Sequence, residues 1–209
     1  MSLDLWLTFV AASSALLLIP GPTILLVLSY ALTQGRKVVV ATAAGVALGD
    51  LIAMTASLLG LGALVLASAT AFMVPKWIGA LYLLWLGYKM LRSAGQASLG
   101  DIKKSTSLPA RGVFGHAATV TALNPKGIGF FIAFVPQFID SNTAILPQFA
   151  ILISTFVTLA ALNALAYALL ADRLRSRIER PAVMQRLTRL GGITLMGMGL
   201  LTATLKRAA

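Results

Sequence analysis

Two ionisable residues stand inside long apolar stretches of this 209-residue chain, Asp50 and Lys126. Asp50 lies thirteen residues past Lys37, about 20 Å along a helix at about 1.5 Å per residue, and Lys126 is similarly far from Arg111. An Asp or Lys at the centre of a helix in lipid costs about 2.5 to 3.5 kcal/mol, so each is expected to face the protein interior, with function as the first hypothesis. Three kinds of chemistry are open to such a pair. The two charges can hold the carboxylate and ammonium of a zwitterion, Asp50 can exchange a proton, or the two can neutralise one another as a structural ion pair. Pairing in one state and ligand binding in another are compatible.

Near each of these depths the chain also carries helix breakers: Pro20-Gly21-Pro22 in one stretch, and Asn124-Pro125 followed by Lys126 and Gly127 in the other. A proline removes a backbone donor and pushes off the carbonyl four residues earlier, so these helices should open and free backbone groups. Freed groups at membrane depth need a protein partner or a ligand. One outcome is a kink absorbed by neighbouring helices. The other follows from their being matched, because paired interruptions in corresponding segments point to a transporter's midplane site.

The elements that must position these residues follow from composition. The chain is 58% hydrophobic and 11% charged, against about 25% charged residues in a soluble domain, so a water-soluble globule and a disordered chain are both excluded. No charge occurs between Asp4 and Arg36, more than the roughly 20 apolar residues a spanning helix needs. Without a positive n-region, and with an apolar run about twice a usual h-region, this stretch reads as a retained span rather than a signal peptide. Further spans are expected over 38–73, 77–88 extended by 71–74 and 90–91, 113–139, 145–171 and 190–205, which makes six.

Basic residues set the orientation, since short cytoplasmic loops keep them. Of 17 Lys and Arg, thirteen fall at the joints after spans 1, 3 and 5, and Lys76, Lys206 and Arg207 lie on the opposite side. The first side is therefore cytoplasmic and both termini face outward. The net charge of +11 is assigned to this topology and to lipid headgroups, with no nucleic-acid partner. The segment from Arg173 to Arg189 is expected to lie along the interface as a short helix.

A Ser/Thr/Lys/Gly-rich segment from Ser93 to Thr106 reads as a cytoplasmic linker. The chain then divides into a three-helix repeat over 1–95, a linker over 96–110 and a second three-helix repeat over 111–209. An odd number of crossings per half requires any repeat to be inverted. Gly79 and Gly87 are spaced as Gly191 and Gly199 are, with Leu83 and Leu195 at matching positions. The fold class is thus an all-α polytopic membrane protein with a 3+3 inverted repeat and broken helices 1 and 4.

Two sets of residues admit both packing and functional readings. Ala41, Gly45, Gly49, Ala53 and Ser57 form a small-residue stripe that suits close packing within the bundle, with a homodimer seam as the alternative. Thr155, Asn163 and Tyr167 share one face of helix 5 and would line a polar cavity or form interhelical hydrogen bonds. Enzyme chemistry finds little support. His116 is the only histidine and there are no cysteines, so a zinc site lacks ligands. No nucleophile elbow or phosphate-binding loop occurs. An ion channel is the other alternative, although one intramembrane acid per chain is sparse for a selectivity filter.

Pro20-Gly21-Pro22, Gly35, Gly45-x-x-x-Gly49-Asp50, the run from Gly79 to Gly87 containing Trp85, and Asn124-Pro125-Lys126 together resemble the LysE/RhtB family of amino-acid exporters over almost the whole chain. The resemblance implies a bacterial inner-membrane exporter for lysine, arginine, threonine, homoserine or leucine-like substrates, driven by the proton-motive force and needing no cofactor or metal. Related families that move electrons through paired cysteines are excluded by the lack of cysteine. The expected mechanism is alternating access around a midplane site. There the substrate carboxylate meets Lys126 and freed helix-terminus N–H groups, and its ammonium meets Asp50.

Overall fold

The apolar runs fold as helices because a backbone without water must satisfy its own hydrogen bonds. In this computed structural model the described residues are 1–67, 73–96, 108–140, 143–171, 173 and 180–204. Helix α1 (Leu3–Leu18) is started by the Ser2 hydroxyl, which accepts from the Leu5 N–H. It stops at Ile19-Pro20-Gly21, and α2 (Pro22–Gln34) begins with Pro22 in its first turn, where a missing N–H costs nothing. Gly35, with φ of 67°, closes α2 and is the only positive-φ residue among those described. A 3-10 turn over Gly35–Val38 leads into α3 (Val39–Ala67), and the expected joint between the first two spans falls on this turn.

Helix α4 (Met73–Ser93) continues into a 3-10 turn at Ala94–Gln96. The second half repeats the broken pattern. Helix α5 (Ala110–Ala122) and α6 (Pro125–Ala133) are separated at Leu123-Asn124, and Pro125 again occupies the first turn. The chain bends by 46° between Ala110–Ala122 and Pro125–Phe138. Helices α7 (Ile145–Leu169) and α8 (Pro181–Thr204) follow. The helical stretches Pro22–Gly62 and Ile145–Leu169 are long and apolar enough to cross a membrane, and the bent pair makes a third such span when taken together.

Packing follows small residues. A Cβ on Gly45 would collide with the Phe114 carbonyl, and one on Gly49 would stand 2.5 Å from the Ala118 carbonyl, so α3 and α5 touch backbone to backbone. This corrects the dimer-seam alternative: the Gly45 and Gly49 face is covered by the chain's own α5. Helices α4 and α8 meet in the same way, Gly87 against Gly192 and Gly199 against Ala80. The core between these pairs contains Phe9, Leu16, Val27, Met54, Leu58, Leu83 and Leu195. Phe130, Phe131 and Phe156 complete it, the Phe131 and Phe156 rings edge to face at 4.9 Å.

Two further expectations need adjustment. Arg186 and Arg189 belong to α8, whose first turns bury Met184 in the core, so this part of the Arg173–Arg189 segment is not a separate interfacial helix. Ser93 to Gln96 extend α4 helically, with Ala94 buried, so the linker starts later than Ser93. Residues 97–107 and 174–179 of these segments, and Lys206 and Arg207, lie outside the described residues.

Candidate functional site

A helix that stops inside a protein leaves its last carbonyls without intrahelical donors. At the end of α1 four consecutive carbonyls each receive a side-chain donor from the second half of the chain. The Lys126 ammonium donates to Leu16 O at 3.1 Å and Ile19 O at 2.8 Å. Asn163 Nδ2 donates to Leu17 O at 3.0 Å, and the Tyr167 hydroxyl to Leu18 O at 3.0 Å. An ammonium also suits this position because the carbonyl end of a helix carries the negative end of its dipole.

The opposite ends of the two breaks meet as well. Asn124 caps α6 by accepting from the Lys126 N–H at 3.0 Å, while its Nδ2 donates to the Thr23 hydroxyl at 3.0 Å. Thr121 donates to the same hydroxyl at 3.4 Å. Thr23 follows Pro22 as Lys126 follows Pro125, so the two half-helix N-termini are joined side by side. They differ in one respect. Helix α6 has the Asn124 cap, whereas α2 begins without a side-chain cap, leaving its N-terminal dipole available to an anion.

Asp50 is buried on α3 and faces this junction, its carboxylate against Gly127, where an added Cβ would lie 4.0 Å from Oδ1. Gly21 lies along the Lys126 stem. Asp50, Lys126, Asn124, Thr23, Gly127 and Asn163 line one cavity of about 30 Å³, walled on its apolar sides by residues that include Leu16, Ile24, Val46, Phe156 and Ala160. That volume accommodates about one water molecule. Acid and ammonium thus share a cavity, but the hydrogen-bond partners of Lys126 are the α1 carbonyls rather than Asp50.

The residues singled out from sequence are therefore largely gathered in one place. Pro20, Gly21, Pro22 and Pro125 form the breaks, and Asp50, Lys126, Asn124 and Asn163 line the space between them. Thr155 and Tyr167 are not on its wall. Thr155 accepts from the Trp6 indole N–H at 3.0 Å, and Tyr167 is committed to Leu18, so only Asn163 of the three reaches the cavity. Sequence reasoning missed Thr23 and Thr121. The signal for Thr23 was its position after Pro22, equivalent to Lys126 after Pro125; Thr121 carries no such mark. His116 lies elsewhere, with Nδ1 2.7 Å from the buried Tyr30 hydroxyl.

Comparison with known proteins bears on this arrangement. The LysE type translocator family matches residues 14–205. The chain is 34% identical over 209 residues, all of both chains, to the homoserine/homoserine lactone efflux protein of Salmonella typhimurium. It is 35% identical over 206 residues, 99% of this chain and all of the relative, to a Vibrio cholerae protein named an uncharacterized membrane protein. A leucine efflux protein of Klebsiella pneumoniae is 35% identical over 137 residues, 66% of this chain and 64% of the relative. No solved structure matches. With a match that runs from Ser14 to Leu205 and two of these relatives aligned over their full length, the chain belongs to the LysE type translocator family, membrane efflux proteins rather than enzymes.

Proposed function

We propose that this protein exports a small amino acid from the bacterial cytoplasm across the inner membrane by proton-coupled alternating access. The observation that carries the reading is the convergence of two broken helices, one acid and one ammonium on a single cavity. The substrate ammonium approaches Asp50. Its carboxylate takes the uncapped start of α2 and the Lys126 ammonium, which must then share or leave the α1 carbonyls. A cavity the size of one water cannot hold an amino acid, so substrate entry requires the half-helices to separate; alternating access supplies that movement. The glycine-mediated contact of α4 with α8 and the matched breaks support a 3+3 inverted repeat, and the placement of the basic residues supports six spans with both termini outside.

The relatives named for homoserine and leucine efflux support an amino-acid substrate. Cells preloaded with dipeptides, with each released amino acid quantified, test the reading. Release of at least one amino acid above an empty-vector control is expected. Release of none would favour the channel or enzyme alternatives.

A further inference from the structure

The two ends of α1 are held differently. Its last carbonyls are tied to the second half of the chain by Lys126, Asn163 and Tyr167. Toward its start, a hydrogen bond and a ring contact join it to that half. The Trp6 indole donates to Thr155 at 3.0 Å, and the Phe9 ring meets Phe138 edge to face at 5.3 Å. Phe138 ends the 3-10 turn Val135–Phe138 after α6, and from it the rings of Phe134, Phe130 and Phe156 lead back to the cavity wall. All of these rings are buried, so aromatic side chains close the cavity on the side where α1 begins.

Between this closure and the cavity, α1 carries Ser13. Phe9 lies one turn nearer the start of the helix, and Leu16, on the cavity wall, one turn nearer the break; the three share the buried face of α1. Helical hydroxyls elsewhere return to the carbonyl one turn earlier, as Thr8 does to Asp4 at 2.8 Å and the buried Thr42 to Val38 at 2.7 Å. Ser13 is fully buried, yet its Oγ has no partner among the described residues, which is costly in a dry interior. Gln34 Nε2 and Thr202 Oγ1 share this lack, but of the three only Ser13 is a single turn from a residue of the cavity wall.

We propose that the substrate leaves the cavity along this face of α1, with the Phe9–Phe138 and Trp6–Thr155 contacts as the gate and Ser13 as a further substrate contact beyond it. The path rests on the exporter reading above. The break at Ile19-Pro20-Gly21 separates α1 from α2, so the first half-helix can swing at that point while α2 stays in place. Once the gate parts, the Ser13 hydroxyl hydrogen-bonds the departing amino acid. With the termini outside, this mouth opens outward, as export requires.

Full-length protein in liposomes loaded with homoserine provides the test. Ser13→Ala removes a hydroxyl that has no partner, so its unfolding temperature should equal or exceed that of the wild type. Its homoserine release should nevertheless slow about threefold, the loss of one hydrogen bond of interhelical strength. Ser13→Cys, in a chain without native cysteine, should react with an impermeant thiol reagent from the side that labels Ser2→Cys, and modification should stop release. Adding Thr155→Val, which removes the Trp6 acceptor, should speed this reaction about threefold through a larger open population. The same change should not affect labelling of Thr202→Cys, equally buried on α8. Wild-type release by Ser13→Ala would overturn the role of Ser13. The path would be overturned if Ser13→Cys stayed unreactive in protein that releases homoserine, if it reacted only from the opposite side, or if Thr155→Val sped both positions equally. Wild-type protein that releases no homoserine would count against the exporter reading, whereas the labelling would still decide where the cavity opens.

Discussion

Lys126 Nζ lies 2.8 Å from the carbonyl oxygen of Ile19, a residue 107 positions earlier in the chain. The contact joins the start of the second broken helix to the end of the first. It also gives Lys126 two duties, since the same ammonium that caps α1 stands in the cavity where a carboxylate would bind.

Replacing Lys126 by Ala should therefore affect stability and transport together. The Leu16 and Ile19 carbonyls lose their ammonium donor. Leu16 O keeps the Ile19 N–H, but Ile19 O is left without a donor among the described residues, and a buried acceptor left unsatisfied costs about 1–3 kcal/mol, so the thermal unfolding temperature in detergent should fall. Net export and substrate exchange should both be lost. A variant with wild-type exchange would show that Lys126 is a cap and no more.

Asp50→Asn separates coupling from binding. Asn imitates a permanently protonated carboxyl, so uphill export driven by an imposed proton gradient should disappear while exchange of labelled substrate persists at a higher substrate concentration, because the substrate ammonium loses its counter-charge. Where a full charge crosses, the potential contributes about 2.3 kcal/mol per 100 mV, and this driving force would no longer reach the substrate. Liposomes with and without the gradient provide the measurement. Accumulation against a substrate gradient by Asp50→Asn would assign coupling elsewhere.

Glycine substitutions distinguish the two faces around α5. Gly49→Ala places a methyl 2.5 Å from the Ala118 carbonyl, whereas a Cβ on Gly115 meets nothing within 4 Å. Overpacking of this kind costs about 1–3 kcal/mol. Gly49→Ala should lower the yield of folded protein and its unfolding temperature, and Gly115→Ala should leave both at wild-type values or slightly above. Equal behaviour of the two would mean that α3 and α5 do not pack this closely in the bilayer.

Orientation is checked by cysteine labelling, which the chain's lack of native cysteine makes simple. Ser93→Cys, at the end of α4 beside Arg92, should be shielded from an impermeant thiol reagent in intact cells and react after permeabilisation. Ser2→Cys should react in intact cells. The reverse pattern would invert the topology.

Much of this protein is local in origin and so was legible before any fold. Long apolar runs, the prolines at 20, 22 and 125, and charges at Asp50 and Lys126 act on the chain within a few residues of themselves, because helix formation and its interruption depend on neighbours three or four positions away. The membrane class, the two breaks and the acid and ammonium near them follow from that. Tertiary structure alone decided who meets whom. Thr155 and Asn163 share a helix face, yet one accepts from Trp6 and the other donates to Leu17, because the placement of α7 against α1 sets which partner each can reach. Likewise, four-residue spacing marks Gly45 and Gly49 as a close-packing face without naming its partner; that α5 rather than a second copy fills it depends on contacts between segments some seventy residues apart. Lys126 shows the same division: its depth was written in its neighbours, but its choice of α1 carbonyls over Asp50 arose only when the helices packed.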